Sequence, residues 1–280
     1  MTSSRIYRGR LAPSPTGFLH LGHARTFWIA QQRAEAAGGA LILRSEDLDA
    51  ARCREEFSVA MIEDLRWFGL RWSEGPDMDG PHAPYVQSER MPGYVAAFEK
   101  LRALGAIYPC SCSRQDVLRA LGAPHAGEDE PVYPGTCRGR GNGKWQMANG
   151  EMNWRFRVPD GEAISFTDSA LGRHTEIAGR DFGDFLIWRK DGLPSYQLAC
   201  VVDDAAMGIT EVVRGADLLT STCRQLLLYR ALGLDAPAFH HCALMTDVNG
   251  IRLAKRDAAT SLRGSGATPE ELRAQFLDGV

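Results

Sequence analysis

The sequence predicts an α/β fold, a doubly wound parallel sheet interrupted by an inserted subdomain and closed by a short helical tail. Three observations carry that expectation. Strand-like and helix-like stretches alternate on both sides of an irregular tract rich in Gly, Pro and Cys. The stretch after residue 252 reads as mostly helical. Finally, 280 residues at 44% hydrophobic content suffice for one large or two modest cores.

Residues 5–12 read as a strand, which Pro13, Pro15 and Gly17 stop in a loop. Over 22–37 the apolar Ala24, Phe27, Trp28, Ala30 and Ala34 recur near helical spacing, and Gly38-Gly39 ends the run before the strand-like LILRSED. Helical stretches follow at about 54–70 and 90–104, and residues 109–144 form the irregular tract. Strand-like pieces return at NWRFRV and AISFTD. An alternating block, in which the parallel sheet resumes, then runs from Phe185 through YQLACVVDDAAMGITEVVRG to a helix near 218–232. The expected organisation is a first half of the sheet domain at 1–105, an inserted subdomain at 106–184, a second half at 185–245, and a loop with a helical tail at 246–280.

The net charge of −3, from 32 basic and 35 acidic residues, excludes a blanket of positive potential, so any nucleic-acid contact must come from local patches. No window approaches eighteen consecutive apolar residues, and the opening MTSSRIYRGRLAP has no apolar signal core. A cytoplasmic protein without a membrane partner is therefore expected. Seven cysteines, an odd number without an export signal, argue against a disulfide framework. The only lysines are Lys100, Lys144, Lys190 and Lys255, which makes any lysine in a chemical motif conspicuous.

In RLAPSPTGFLHLGHART, His20 and His23 flank Gly22 where a proline-rich loop becomes a helix. Free amide N–H groups and the positive end of the helix dipole favour phosphate there. Gly22 permits close approach of a nucleotide, and two imidazoles can donate to phosphoryl oxygens as charge builds. From seven histidines and 29 glycines, chance supplies an HxGH pattern only about 0.02 times per chain.

This stretch resembles the class I aminoacyl-tRNA synthetases and, within them, the glutamyl branch. HLGH is similar to the family's HIGH motif, with Leu21 at the isoleucine position. The resemblance resumes at DFGDFLIWRKDGLPSYQLACVVDDAAMGITEVVRGADLL and again near Lys255, covering nearly the whole chain. It implies a Rossmann-like sheet and a second ATP motif, KMSKS, whose place is held by Arg252-Leu253-Ala254-Lys255-Arg256. Lys255 is the one clear carry-over, a flexible ammonium that would neutralise the leaving pyrophosphate. Magnesium is expected with the ATP phosphates.

A glutamate substrate presents two carboxylates and an ammonium, which arginines and a carboxylate complement. By resemblance Arg10, Ser14, Glu46, Tyr196 and Arg214 face it. Glu46 would hold the ammonium, and Arg10 and Arg214 the carboxylates in either order. Strand ends are where open α/β sheets bind ligands.

Cys110, Cys112 and Cys137 form a thiol cluster whose chemistry favours a structural zinc stapling the insertion. Resemblance to the glutamyl-Q tRNA(Asp) synthetases implies Tyr133 as the fourth ligand, and His125 is the alternative in the same loop. Cys53, Cys200, Cys223 and Cys242 lack such spacing and read as packing residues.

Only 24 residues follow Arg256. The resemblance is accordingly to truncated paralogues without an anticodon-binding domain. They form glutamyl-adenylate without tRNA and transfer glutamate to the queuosine base at the wobble position of tRNA(Asp). A monomer is expected, with RNA backbone meeting Arg138, Arg140 and Lys144 or the four cations of residues 250–265. The alternatives are a glutamate-activating relative with another acceptor, an adenylyltransferase that shares only HxGH, and a silent RNA-binding paralogue suggested by the altered KMSKS.

Overall fold

In chain order the elements of the computed structural model are β1 (Arg8–Leu11), α1 (Leu21–Ala36), β2 (Ala40–Leu43), α2 (Glu55–Trp67), α3 (Met91–Ala103), β3 (Ile107–Cys110) and β4 (Asn153–Phe156). There follow β5 (Ala163–Asp168), β6 (Gly172–Ile177), β7 (Phe185–Trp188), α4 (Tyr196–Ala206), β8 (Glu211–Gly215), α5 (Leu219–Leu232), β9 (Ala238–Cys242) and α6 (Pro269–Leu277). The structure describes residues 6–113, 115–117, 132–139, 152–245 and 262–277. Two compact units result, one from Met1–Arg90, Ala206–Leu218 and Pro237–Val280, the other from Met91–Ala205 and Leu219–Ala236.

The first unit holds the parallel sheet. β1 and β2 pair in parallel from Arg8↔Ala40 to Leu11↔Leu43, and β8 and β9 pair in parallel from Glu211↔Ala238 to Gly215↔Cys242. Thr210 N donates to Arg8 O at 2.8 Å, bringing β1 beside β8. Beyond β2 the chain adds parallel bridges at Ile42↔Glu74 and Ser45↔Val86. The strand order therefore reverses at β1, with one crossover running towards β2 and the other towards β8. In doubly wound sheets such a switch point opens a crevice at the strands' carboxyl ends.

Helix α1 covers this sheet because Ala24, Phe27, Ala30, Gln31 and Ala34 fall on one buried face at helical spacing. The four apolar members join Leu11, Leu43, Leu65, Phe68, Val213 and Phe276 in one core. Burial of a side chain such as Phe27 contributes about 1.5–3 kcal/mol.

The second unit is built on an antiparallel sheet, β3-β4-β7, beside the antiparallel hairpin β5–β6. Phe98 of α3 packs at 5.2 Å against both Trp154 and Trp188, which draws α3 and β7 into this unit. Buried Asp184 accepts hydrogen bonds from Tyr108 Oη at 2.5 Å and Val158 N at 2.8 Å.

Two expectations are corrected here. Phe185–Trp188 does not resume the parallel sheet; it pairs antiparallel with β4. A short run of buried apolar residues fits either kind of strand, so pattern alone did not reveal its partner. The stretch YQLACVVDDAA is the helix α4 rather than a strand, started by Ser195, whose Oγ accepts from Leu198 N at 3.3 Å. The units divide at Arg90 and Ala205, and α5 belongs with the second. Among the described residues no helix is long and apolar enough to cross a membrane.

Candidate active site

The loop between β1 and α1 is pinned over the end of β2. Arg44 N donates to Leu11 O at 2.8 Å and Glu46 N to Pro13 O at 3.0 Å, so residues 11–13 continue alongside 44–46 after regular pairing ends. His20 occupies the N-cap of α1 with extended backbone and makes no side-chain cap. Its ring stacks instead on His23, with centroids 3.8 Å apart and planes 26° from parallel. A Cβ at Gly22 would come within 3.1 Å of His20 Cε1, so the glycine makes room for this stack. Both imidazoles thus sit at the positive end of a sixteen-residue helix.

Three charged side chains occupy the carboxyl edge of neighbouring strands. Arg10 on β1 is 4% exposed and donates from Nη1 to Val213 O at 3.0 Å. Arg214 on β8 is equally buried; its Nε donates to His241 Nε2 at 3.3 Å, and its guanidinium lies 5.6 Å from the Phe239 ring centre. Glu46, just beyond β2, is buried and accepts from Arg44 Nη2 at 2.9 Å, Arg44 itself being fully enclosed. Ser14 lies exposed in the β1–α1 loop. Tyr196 belongs to the second unit, where it begins α4 and is 40% exposed.

Sequence reasoning missed Arg44 and His241. Arg44 precedes Glu46 by two residues at a strand end, a spacing that puts both side chains on one face. His241 is the register partner of Arg214, and only the pairing of β8 with β9 reveals it.

Lys255 and the surrounding RLAKR stretch lie outside the described residues. The chain on either side is tied to the loop and helix that carry the histidines. Arg25 of α1 donates to Ala243 O at 2.8 Å, and Leu262 N donates to Leu19 O at 2.8 Å. Arg263 forks onto Asp64 and, at 3.1 Å, Glu63.

In the second unit the three thiols converge. The Cys110, Cys112 and Cys137 sulfurs lie within 4.8 Å of one another, with Cys112 and Cys137 at 3.6 Å. Tyr133 Oη lies 3.3 Å from Cys110 Sγ and 3.5 Å from Cys112 Sγ, and accepts from Cys137 N at 2.9 Å. Tetrahedral zinc with bonds of about 2.3 Å separates its sulfurs by roughly 3.8 Å, so this donor set fits zinc. A disulfide, at about 2.05 Å, does not fit. Burial would raise the Cys137 thiol, but hydrogen bonds from Tyr133, Ser111 and Cys112 outweigh it and lower it to about 6. Burial pushes Cys112 up to about 11. Arg155 donates to Cys110 Sγ at 3.3 Å and lies 4.0 Å over the Tyr133 ring, a cation suited to balance thiolate charge.

His125, Arg140 and Lys144 lie outside the described residues. Arg138 pairs with Asp160 and, at 3.1 Å, with Asp184, while Arg263 is held by Asp64 and Glu63. Both of these patch cations are already matched by carboxylates.

Residues 7–277 match the family of tRNA synthetases class I (E and Q), catalytic domain. A Glutamyl-Q tRNA(Asp) synthetase of Symbiobacterium thermophilum is 50% identical, over 97% of this chain and 86% of that protein. One from Nitratidesulfovibrio vulgaris is 48% identical, over 92% of this chain and 80% of its own length. Glutamate–tRNA ligase 2 of Acidithiobacillus ferrooxidans is 44% identical over 91% of this chain, which spans 54% of that ligase. Among solved structures, a glutamate tRNA ligase from Elizabethkingia meningosepticum in complex with its amino acid superposes with a TM-score of 0.82 at 30% identity. That match covers 97% of this chain and 60% of the ligase. On the match over residues 7–277 and the 50% identity to the Symbiobacterium relative, the chain belongs to the class I tRNA synthetases of the E and Q branch.

Proposed function

We propose that the protein activates L-glutamate with ATP, without tRNA, and transfers it to the queuosine base at the wobble position of tRNA(Asp). The observation that carries the reading is the trio Arg10, Arg214 and Glu46, buried at strand ends of the parallel sheet in the unit that also holds the stacked histidines. Two guanidinium groups and a carboxylate complement the two carboxylates and the ammonium of glutamate. The names of the relatives from Symbiobacterium and Nitratidesulfovibrio, which this chain matches over most of their length, supply the acceptor.

In this reading Arg10 and Arg214 hold the glutamate carboxylates and Glu46 the ammonium, and the family resemblance adds Ser14 and Tyr196 as glutamate-binding residues. The α-carboxylate attacks the α-phosphorus of ATP and pyrophosphate departs. His20 and His23 donate to phosphoryl oxygens as negative charge builds, Gly22 leaves the backbone open to the nucleotide, and Lys255 neutralises the leaving group. Magnesium accompanies the ATP phosphates. A queuosine hydroxyl then attacks the activated carbonyl, forming an ester and releasing AMP. Positioning and electrostatics supply the catalysis, with no covalent enzyme intermediate. Cys110, Cys112, Tyr133 and Cys137 would hold a zinc ion whose contribution is structural.

The test follows labelled glutamate. Pyrophosphate exchange dependent on glutamate and ATP, without tRNA, is expected, followed by label on tRNA(Asp) only when queuosine is present. Label at the 3′ end that survives removal of queuosine would reassign the acceptor, and absence of exchange would leave an RNA-binding role.

A further inference from the structure

A second convergence of metal-binding side chains lies in the β5–β6 hairpin and α5, separate from the tyrosine–thiol cluster. His174 and Glu176 are two apart on β6, so strand alternation puts them on one face. Thr220 and Cys223, three apart on α5, share the helix face that meets it. His174 Nε2 lies 2.9 Å from Glu176 Oε1, and Thr220 Oγ1 donates to the same oxygen at 2.8 Å. The ligand atoms of His174, Glu176 and Cys223 all fall within 4.8 Å of one another.

The other carboxylate oxygen sets this group apart from an ordinary hydrogen-bonded pair. Glu176 is 9% exposed, and its buried Oε2 has no hydrogen-bond partner among the described residues. A buried carboxylate oxygen without a donor is costly, and such atoms in folded proteins call for a missing partner. The Cys223 thiol makes a long contact to Ile164 O at 3.9 Å and a hydrogen bond with the Glu176 backbone, which brings it to this strand.

We propose that His174, Glu176 and Cys223 form a second, mixed-ligand site for a divalent transition metal, with zinc the ion its donors suit best. Imidazole with thiolate selects zinc over magnesium or calcium, which prefer all-oxygen shells. Bonds of about 2.0–2.3 Å around tetrahedral zinc hold neighbouring donors roughly 3.3–3.8 Å apart, between the 2.9 Å closest contact and the 4.8 Å within which all three ligand atoms fall. Thr220 orients the carboxylate from behind, as outer partners of metal ligands do. His174 is the partly exposed member, with 28% of its side chain accessible, and gives the ion a way in. Binding releases the Cys223 thiol proton to solvent, and water takes the fourth position. Cys223, which spacing alone assigned to packing, becomes a ligand because the fold carries it to the hairpin.

The experiment titrates the full, metal-freed chain with cobalt(II), in a background where Cys110→Ser and Cys112→Ser silence the other cluster. One tightly bound equivalent is expected, with tetrahedral ligand-field bands, a thiolate charge-transfer band and displacement by zinc. His174→Gln and Glu176→Gln should each abolish uptake while leaving circular dichroism unchanged, and Cys223→Ser should remove the charge-transfer band. If the silenced background does not fold, the parent chain serves, with two equivalents against one in His174→Gln. No cobalt in a folded background, or uptake unchanged in both His174→Gln and Glu176→Gln, overturns the site. Metal uptake is read without substrates, so the outcome is independent of the proposed reaction.

Discussion

Arg10 and Arg214 are buried cations, and burial is affordable only where partners of opposite polarity converge. Within the chain those partners include the Val213 carbonyl for Arg10 and the His241 Nε2 for Arg214. In the proposed reading the two guanidinium groups also take the substrate carboxylates. Arg10→Lys keeps the charge and loses the planar fork, so it should cost about 1.5–3 kcal/mol of transition-state binding, roughly 10- to 150-fold in kcat/KM for glutamate. Pyrophosphate exchange at varied glutamate reads this, and an unchanged kcat/KM would remove Arg10 from the pocket. Glu46→Gln has a second consequence, because Arg44 is fully enclosed and pairs with Glu46. Leaving that guanidinium buried with a neutral amide should destabilise the fold on the order of 3 kcal/mol, measured by urea unfolding. The strand-end positions of Arg10, Arg214 and Glu46 were legible in the sequence, and their proposed role toward glutamate came from the family resemblance. Arg44 and His241 were not, since their roles follow from burial and inter-strand register.

At the scale of elements, the strands of the first unit are fastened by side chains as well as backbone. Glu211 at the start of β8 accepts from Arg33 of α1 at 2.6 Å and 2.7 Å, and from Tyr7 before β1 at 2.8 Å. Burial alone would raise its carboxyl, but the hydrogen bonds from Arg33 and Tyr7 outweigh burial and hold it below the usual range. A carboxyl lowered in the folded state stabilises above its unfolded pKa of about 4.3, and that stabilisation disappears as pH falls through the folded value. The stability gap between the parent and Glu211→Gln should therefore be widest near neutral pH and close progressively below about pH 4.3. Urea midpoints collected from pH 7 to 3.5 test this, and a gap constant with pH would contradict it. The same element scale shows where pattern reading succeeds. α1 was legible because its apolar residues keep one helical face and Gly38-Gly39 ends them. Phe185–Trp188 was misread because a short buried apolar run fits a parallel or an antiparallel strand alike, and α4 because its residues fall within the same strand-like block.

For the whole molecule, the division into two units separates the sheet-edge charges from the thiol cluster. Arg10, Glu46, Arg214 and the histidine pair all belong to the first unit, which has a core of its own. The thiol cluster belongs to the second unit, with a small core of Tyr108, Cys110, Val117, Tyr133 and Cys137. So few apolar side chains give the 132–139 segment little hydrophobic stabilisation, and a metal bound by the thiols would supply folding free energy in its place. Removing zinc with a strong chelator should then increase amide hydrogen exchange in β3, β4 and residues 132–139, with β1, α1 and β8 keeping their protection. Cys137→Ser should reproduce that pattern without chelator, because it deletes a ligand rather than sequestering the ion. If protection in β3 and β4 survives both treatments, the thiols and Tyr133 are held by packing and hydrogen bonding alone, and the zinc staple is refuted.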